Sequence, residues 1–313
     1  MPVFSASSPI TIAISNLPLD LRVLSKVYHA ISDYISGVEN EMTQQIVLVT
    51  GASSGIGSAT AQYLAEQGFY VFAAARRIDR LEALRTPAIE PLAMDVTSDE
   101  DVKRAIQHIL SSKGRIDVLV NNAGYALYGA VEEVSLEDAA YQLNVNVLGL
   151  MRVTQAVLPI MRQQRTGIIV NLSSVAGKVS TPFAGWYAAS KHAVEALSDA
   201  LRLEVKRLGI RVVIIEPGSI KTEFGDIALR ELHKASTIDD YVPMAASFDK
   251  LISNSFRNAP GPDIIAKAIH KAVISQGQHA RYALPNDSRM FIFLRRLLSD
   301  RVFDALLGSQ IRA

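Results

Sequence analysis

The string Tyr187-Ala-Ala-Ser-Lys191 places a phenol and an ammonium group four residues apart, within a segment of helical periodicity. This spacing puts both side chains on one face of a helix. A free phenol has a pKa of about 10, but a nearby ammonium group stabilises the phenolate. At about 4 Å and an effective dielectric constant near 20, that attraction is about 4 kcal/mol, or about three pKa units. The pair predicts a tyrosine that acts as a general acid–base near neutral pH.

A serine hydroxyl precedes this pair. Ser173 and Ser174 follow the apolar run Gly167–Leu172, which is typical of a buried strand. A hydroxyl at the end of that strand could hold a substrate oxygen beside the phenol of Tyr187. A tyrosine–lysine pair by itself usually marks a solvated helix face. Its place behind a strand that ends in serine, and downstream of a glycine loop, favours the chemical interpretation.

The glycine loop runs from Thr50 to Gly57 with the sequence TGASSGIG, between a buried strand and an alanine-rich helix. Glycine permits the tight strand-to-helix turn and lets backbone N–H groups approach a pyrophosphate. The N-terminus of the following helix also attracts that anion. A glycine-rich turn alone is weak evidence and would serve as a mere tight turn. Its position between a strand and a helix predicts a dinucleotide site.

The end of the second strand predicts which dinucleotide binds. An acidic residue about 20 positions after the glycines would bind the ribose 2′-hydroxyl of NAD. This chain instead has Ala75, Arg76 and Arg77 there. Guanidinium groups suit a 2′-phosphate, so the sequence predicts NADP(H) in preference to NAD(H). The alternative is a pair of solvated arginines without a ligand.

Alternating apolar strands and amphipathic helices must position these groups. The strands are predicted at residues 46–50, 70–75, 117–121, 167–172 and 211–216. The helices are predicted at 58–67, 99–112, 136–162 and 187–208, where 136–162 is either one long helix or a helix pair. Alternation at this length predicts an α/β fold with a single Rossmann-type, doubly wound parallel sheet and helices on both faces. Such a sheet binds ligands beyond the carboxyl ends of its strands.

The composition excludes several classes of protein. The 313 residues carry 32 basic and 31 acidic side chains, so no strong overall field attracts nucleic acid, and no nucleic-acid partner is expected. The absence of cysteine excludes disulfides, thiolate catalysis and iron–sulfur clusters. The six histidines form no HExxH pattern, and no metal site is predicted.

Several strings together resemble the short-chain dehydrogenase/reductase family, and the overall style resembles its hydroxysteroid and retinol dehydrogenase-like branch. They occur in the family's order and at its usual separations over roughly residues 43–225. The strings are TGASSGIG from Thr50, DVT from Asp95, NNAG from Asn121, NVLG from Asn146, SS from Ser173, YAASK from Tyr187 and PGSIKT from Pro217.

The resemblance implies four catalytic residues. Tyr187 matches the acid–base, and Lys191 matches the lysine that lowers its pKa and bonds the nicotinamide ribose. Ser174 lies 13 residues before the tyrosine, where the family has the serine that holds the substrate oxygen. Asn146 matches the proton-relay asparagine. All four positions hold the expected residue type.

The resemblance also implies the cofactor contacts. The glycine loop would surround the pyrophosphate, Asp95 and Val96 would contact the adenine, and the segment from Asn122 to Gly124 would border the ribose. The loop after the last predicted strand would hold the nicotinamide. The implied contacts are Gly51, Ser53, Ser54, Gly55, Ile56, Gly57, Arg76, Arg77, Asp95, Val96, Asn122, Ala123, Gly124, Tyr187, Lys191, Pro217, Gly218 and Thr222.

These observations predict an NADP(H)-dependent oxidoreductase. It would transfer a hydride between the nicotinamide and a largely apolar secondary alcohol and ketone, or an alcohol and aldehyde. The alternative is a non-catalytic regulator that senses NADP(H) on the same fold, and the four intact catalytic positions favour the enzyme. Sugar epimerases share the tyrosine–lysine pair but carry a different glycine loop and a larger C-terminal domain.

The domain is predicted to cover residues 42–285, with a substrate lid at about 223–261. The other predicted pocket walls are apolar side chains that could instead pack in the core, namely Tyr125, Leu127, Tyr128, Phe183 and Trp186. Residues 286–313 form an amphipathic tail, interpreted as a helix that closes the pocket or packs on the domain, with contact to a membrane surface as the less favoured alternative.

Residues 1–41 are predicted to be an extension that the chemistry does not need. A membrane or partner anchor is the alternative, and Met42 resembles a natural start of the domain. No signal peptide is recognised, and the cytoplasm is the expected location. Helices 136–162 and 187–208 resemble the pair that family members bury between subunits. A homodimer or tetramer is therefore expected.

Overall fold

Seven parallel strands form one sheet in the order β3-β2-β1-β4-β5-β6-β7 in the computed structural model, which describes residues 44–275 and 279–311. The chain order reverses between β1 and β4, so loops diverge there and leave a crevice at the carboxyl ends of the strands. The strands are β1 (Ile46–Thr50), β2 (Tyr70–Ala75), β3 (Ile89–Ala93), β4 (Val118–Asn121), β5 (Gly167–Leu172), β6 (Ile210–Pro217) and β7 (Arg281–Leu284).

Helices cover both faces of the sheet. They are α1 (Gly55–Glu66), α2 (Ile78–Glu82), α3 (Asp99–Lys113), α4 (Leu136–Leu143), α5 (Leu150–Gln164), α6 (Gly185–Val205), α7 (Glu223–Ala235), α8 (Val242–Arg257), α9 (Asp263–Ile274), α10 (Asn286–Leu297) and α11 (Asp300–Gln310). Apolar side chains of α1 and α9 pack on one face, and those of α3, α5 and α6 pack on the other. Because both faces are covered, β1, β4 and most of β2 and β6 are buried, as their apolar composition requires.

The five predicted strands and four predicted helices are present, with small changes at their ends. The structure adds two edge strands that the sequence pattern did not reveal. Strand β3 contains Glu90 and Pro91, which break an apolar run, and β7 has only four residues, all half-buried. An edge strand is paired on one side only, so it tolerates proline and polar residues. The apolar pattern that identifies a strand in the sequence is therefore weak in β3 and β7.

Residues 136–162, predicted as one long helix or a helix pair, form the pair α4 and α5. Between α4 and α5 the chain makes a π-helical turn at Asn144–Gly149. A turn of this kind changes the direction in which the side chains of a helix point. The continuous stretch Leu136–Gln164 is long and apolar enough by composition to cross a bilayer. Val153, Val157 and Met161 in it are fully buried against the sheet, which is the pattern of a core helix.

The lid and the tail are also helical. Helices α7 and α8 cover most of residues 223–261, and the loop between them bonds to the segment after β4, where Glu133 Oε1 accepts from the backbone N–H of Ile238 at 2.7 Å. In the tail, Ile292 of α10 and Phe303 of α11 are buried. The prediction for residues 1–41 falls outside the residues that the structure describes.

Candidate active site

The glycine loop makes a turn that side chains would block. Gly51 has a φ of +66°, in the left-handed region that favours glycine. A Cβ atom on Gly57 would collide with the backbone oxygen of Gly51. At the start of α1, Ser54 makes no side-chain cap bond and the first turn has no acidic residue. Ser54, Gly55 and Ile56 line the crevice beyond the strands, and a helix N-terminus at this place fits an anionic pyrophosphate.

The end of β4 is tied to this loop. The side-chain nitrogen of Asn122 donates to the backbone oxygens of Thr50 at 2.9 Å and of Gly51 at 3.2 Å. In return, Thr50 Oγ1 accepts from the backbone N–H groups of Asn122 and Ala123, both at 3.0 Å. The NNAG string therefore holds the glycine loop in place, and the backbone of Ala123 and Gly124 borders the crevice.

Both arginines after β2 line the crevice. Arg77 reaches back across the glycine loop, and its Nη2 atom donates to Ser53 Oγ at 3.1 Å and Ser54 Oγ at 3.3 Å. Arg76 Nη1 donates to the hydroxyl of Tyr141 at 2.9 Å. The two guanidinium groups thus lie beside the loop at the end of β2, where a ribose 2′-substituent of a dinucleotide would be expected.

The adenine end of the crevice is built after β3. Asp95 Oδ1 accepts from the backbone N–H of Thr97 at 2.8 Å and from its hydroxyl at 2.7 Å. Val96 is almost fully buried and packs against Gly149. Both Asp95 and Val96 line the crevice, in positions that suit a hydrogen bond to the adenine amino group and packing on its ring.

Ser174 and Tyr187 meet at the other end of the crevice. Tyr187 lies in the first turn of α6 and is 6% exposed, and the neighbouring Ser174 hydroxyl acts to lower the pKa of its phenol. Ser174 Oγ also lies 3.3 Å from the backbone oxygen of Pro217 and accepts from the N–H of Ala176 at 3.1 Å. These contacts fix the serine hydroxyl beside the phenol and next to the loop after β6.

Lys191 lies one helical turn after Tyr187 and is also buried. Its Nζ atom donates to the backbone oxygen of Leu172 at 2.8 Å and lies 5.8 Å from the centre of the Tyr187 ring. Burial lowers the pKa of Lys191 to about 8, and the negative charge of Glu195 opposes that change. The ammonium group is therefore close to the phenol and titrates in the working pH range.

The expectation that Lys191 lowers the pKa of Tyr187 is wrong for the folded chain by itself. Burial raises the pKa of Tyr187 to about 12, although the hydrogen bond from Ser174 lowers it in part. The attraction of the ammonium group is opposed by the loss of water around the phenol. Desolvation disfavours the phenolate, and here it is the larger effect.

The π-helical turn places Asn146 behind this pair. Asn146 Oδ1 accepts from the N–H of Tyr125 at 2.7 Å, and its Nδ2 donates to the oxygen of Tyr125 at 2.9 Å and to Ser190 Oγ at 3.0 Å. A Cβ atom on Gly124 would lie 3.7 Å from Asn146 Oδ1 and 3.8 Å from Lys191 Nζ, so both groups border the same short segment. Asn146 itself is 1% exposed and lies beneath the crevice wall.

The crevice is a cavity of about 1070 Å³, and nearly all of the predicted site residues line it. Gly57 and Asn146 are the exceptions among them, and both are buried directly behind its wall. The predicted walls were correct for Tyr125 and Tyr128. Seven further apolar wall residues come from the segments predicted as lid and tail: Phe224, Ile227, Ile252, Phe256, Met290, Phe291 and Leu294.

Three predicted wall residues are not in the wall. Leu127 and Trp186 pack together with Val134 and Ala139, and Phe183 packs on Phe248 with ring centres 5.5 Å apart. Their side chains turn toward the core, as the alternative interpretation of these apolar residues held. The seven further wall residues could not have been identified, because nothing local indicates which face of α7, α8 or α10 meets the sheet.

Comparison with known proteins agrees with this geometry. Residues 45–231 match the family model for short chain dehydrogenases. The chain belongs to the short-chain dehydrogenase/reductase family. It is 40% identical to a protein from Bacteroides thetaiotaomicron named 3-ketodihydrosphingosine reductase, over 74% of this chain and 84% of the relative.

Two further family members indicate the class of cofactor. A protein from Ornithobacterium rhinotracheale named NADPH-dependent 3-dehydrocapnine reductase is 32% identical, over 85% of this chain and 96% of its own. A short-chain dehydrogenase/reductase structure from Burkholderia phymatum in complex with NAD has a TM-score of 0.72 and 25% identity, over 81% of this chain and 93% of that one. The family's Rossmann fold, binding of a nicotinamide dinucleotide and oxidoreductase chemistry therefore apply to this chain.

Proposed function

We propose that this protein is an NADP(H)-dependent oxidoreductase that interconverts a largely apolar ketone or aldehyde and its alcohol. The observation that carries the proposal is that Ser174 and Tyr187 are neighbours and line the same cavity as the glycine loop. A regulator that only sensed the dinucleotide would have no use for a serine and a tyrosine hydroxyl side by side in the cavity. An enzyme that moves a proton to a carbonyl oxygen needs both.

The cavity would hold the dinucleotide along the carboxyl ends of the strands. The glycine loop and the first turn of α1 would hold the pyrophosphate, and Asp95 the adenine. The loop from Pro217 to Thr222 would hold the nicotinamide. The bound cofactor supplies or accepts the hydride. Ser288 packs against Gly218 and closes this loop from the side of the tail.

The proposed chemistry of the chain concerns one oxygen atom and one proton. In the reductive direction, the Ser174 hydroxyl would donate a hydrogen bond to the carbonyl oxygen, where negative charge develops. Tyr187 would then give its proton to that oxygen. The ammonium group of Lys191 would stabilise the phenolate that remains, and Asn146 would hold the water that returns a proton to it. In the oxidative direction the same groups would remove the proton.

The arginines after β2 support the preference for NADP(H). Arg77 is held at the serines of the glycine loop, and Arg76 lies beside it on an exposed hydrogen bond that a phosphate could replace. No acidic residue follows β2 at the point where one would bind the 2′-hydroxyl of NAD. The Ornithobacterium relative is named as NADPH-dependent, which agrees with this proposal.

The substrate would be apolar with a carbonyl group at one end of the cavity. Aromatic and aliphatic side chains of α7, α8 and α10 line the part beyond Tyr187, including Phe224, Phe256 and Phe291. Both named relatives are reductases of a 3-keto or 3-dehydro compound, which supports reduction of a ketone. We also propose a homodimer or tetramer, because Leu136, Leu148 and Leu203 are more than half exposed on α4, the π-helical turn and α6.

A direct experiment tests the function. Ketones and aldehydes of increasing alkyl length would be incubated with the purified full chain and NADPH or NADH, and turnover followed at the nicotinamide absorption band. We expect turnover that improves with alkyl length and is faster with NADPH. If NADPH binds but no carbonyl compound or alcohol reacts, the sensing regulator replaces the enzyme as the better interpretation.

A further inference from the structure

Helix α10 presents an apolar face to solvent. Met290, Phe293 and Leu297 are 62%, 60% and 67% exposed, and their spacing of three and four residues aligns them on one face. Phe293 is the only phenylalanine among the large exposed side chains of the described residues. The opposite face packs inward through Ser288 and Ile292. The exposed face is therefore in excess of what the domain core needs.

Positive charge borders this face. Arg289 and Arg296 are exposed and lie seven residues apart, so they fall on the same edge of the apolar stripe. Among the described residues neither is ion-paired with a carboxylate, whereas Arg295, on the inner side, pairs with Asp300 at 2.8 Å. Asp287 in the first turn and Asp304 of α11 are the other acidic groups of these two helices. Arg289 Nε donates to the backbone oxygen of Ala283 at 2.9 Å, which leaves its charge without a carboxylate partner. Exposed apolar side chains beside arginines of this kind are typical of helices that lie in a lipid interface.

The apolar face continues into the cavity. Met290 belongs to both, because it is exposed on the stripe and also lines the cavity wall. Phe291 and Leu294, on the next positions around the helix, line the cavity as well. An apolar molecule could therefore pass from the outer face of α10 to the region of Tyr187 along side chains of a single helix.

We propose that α10 docks on an anionic lipid surface and that the substrate enters the cavity from that surface. This inference rests on the proposed function for the apolar nature of the substrate, while the docking itself rests on the exposed face. The arginines select an anionic surface, because guanidinium groups at that edge would meet lipid phosphates. A symmetric contact with a second copy is disfavoured, since it would bring the same uncompensated arginines together.

Vesicle binding of the full chain tests the docking. Vesicles of phosphatidylcholine with phosphatidylglycerol, and vesicles of phosphatidylcholine alone, would be sedimented with the protein. We expect binding to the anionic vesicles that weakens as salt is added. The double variant Phe293→Gln/Leu297→Gln should bind at least about 10-fold more weakly, because it removes the apolar contact. Ile274→Gln, a change at a side chain that is 59% exposed on α9, is the matched control and should bind normally.

A second pair of variants separates charge from apolar contact. Arg289→Gln/Arg296→Gln should lose the preference for anionic vesicles and the dependence on salt. None of these four residues lines the cavity, so turnover of a water-soluble ketone should stay within about twofold of wild type in both double variants. Turnover of a long-chain ketone supplied within anionic vesicles should fall in parallel with binding.

Several results would overturn the proposal. Wild-type protein that stays in solution with anionic vesicles, or a Phe293→Gln/Leu297→Gln variant that binds them as wild type does, would exclude docking through this face. A change of oligomeric state in that variant during sedimentation would show that the face is a protein interface. Vesicle binding as expected, without turnover of any ketone, would instead refute the proposed function and leave the docking in place.

Discussion

Glu195 of α6 and Glu216 of β6 present two buried carboxyl groups to the same two cations. Lys178 Nζ lies 2.6 Å from Glu195 Oε2 and 3.9 Å from Glu216 Oε1, and Arg281 of β7 lies 3.0 Å and 3.3 Å from the same two oxygens. Burial, followed by the charge of Glu195, raises the pKa of Glu216 to about 7. Among the described residues, the Oε1 atoms of both carboxyls receive no hydrogen bond.

This carboxyl pair predicts a pH-dependent stability. In the unfolded chain, Glu216 loses its proton near its ordinary pKa of 4.5. In the folded chain, Glu216 keeps the proton up to about pH 7. The stabilisation from this group is therefore complete below pH 4.5 and is lost as the pH rises to 7. A shift of this size is about 3 kcal/mol at most. We expect the melting temperature of wild type to fall between pH 5 and pH 8 more steeply than that of Glu216→Gln, by a few degrees. Glu66→Gln, at an exposed position of α1, should retain the wild-type slope.

Removal of the Tyr187 hydroxyl should greatly lower the turnover of the enzyme and leave the fold intact. Tyr187→Phe deletes one oxygen atom, and its loss as proton donor is expected to lower turnover by at least about 10²-fold. The dissociation constant for NADPH, measured by fluorescence titration, should change by less than about threefold. Wild-type turnover in this variant on an authentic substrate would refute the assignment of Tyr187 as the acid–base.

The two adjacent serines should differ in their effect. Ser174 lies beside Tyr187 and acts to lower its pKa, whereas the buried hydroxyl of Ser173 has no hydrogen-bond partner among the described residues. Ser174→Ala should lower kcat by about 10²-fold, since it removes a hydrogen bond to the developing oxyanion. Ser173→Ala should lower it by less than about fivefold. Equal losses in the two variants would show that the serine pair acts through structure and not through one hydroxyl.

The lowered pKa of Lys191 predicts how the rate of reduction depends on pH at alkaline values. The ammonium group loses its proton near pH 8 in the folded chain, well below its ordinary value of 10.5, because burial disfavours the charge. A neutral amine no longer stabilises the phenolate of Tyr187. The rate of reduction should therefore fall as the pH rises through about 8. The Lys191→Met variant should reduce the substrate slowly at every pH and should not show the fall in rate near pH 8. It should also bind NADPH more weakly.

The arginines after β2 should govern the choice of dinucleotide. Arg76→Ala and Arg77→Ala are each expected to weaken NADPH binding by up to about two orders of magnitude, since a hydrogen bond to a charged group contributes roughly 1.5–3 kcal/mol. Binding of NADH should barely change. Arg85→Ala, at an arginine that is paired with Glu82 on the surface, is the control. Tighter binding of NADH than NADPH by wild type would contradict the proposed preference.

The sequence by itself determined the features that depend on neighbouring residues. A strand, a glycine turn and a helix follow one another within residues 46–66, so their arrangement around an anion can be inferred without the rest of the chain. Tyr187 and Lys191 share a helix face because the helix has a fixed period. The apolar runs of the central strands require a sheet covered on both faces, and that requirement gave the fold class.

Only the tertiary structure decided what surrounds these groups. Arg77 bonds to Ser53 from 24 residues away, and the wall of the cavity comes from α10, about 100 residues after Tyr187 along the chain. The pKa of Tyr187 rises because burial removes water from the phenol, and burial depends on every element packed around it. Desolvation and long-range contacts are properties of the folded packing, whereas a pattern of residue types records only the local period and turn chemistry.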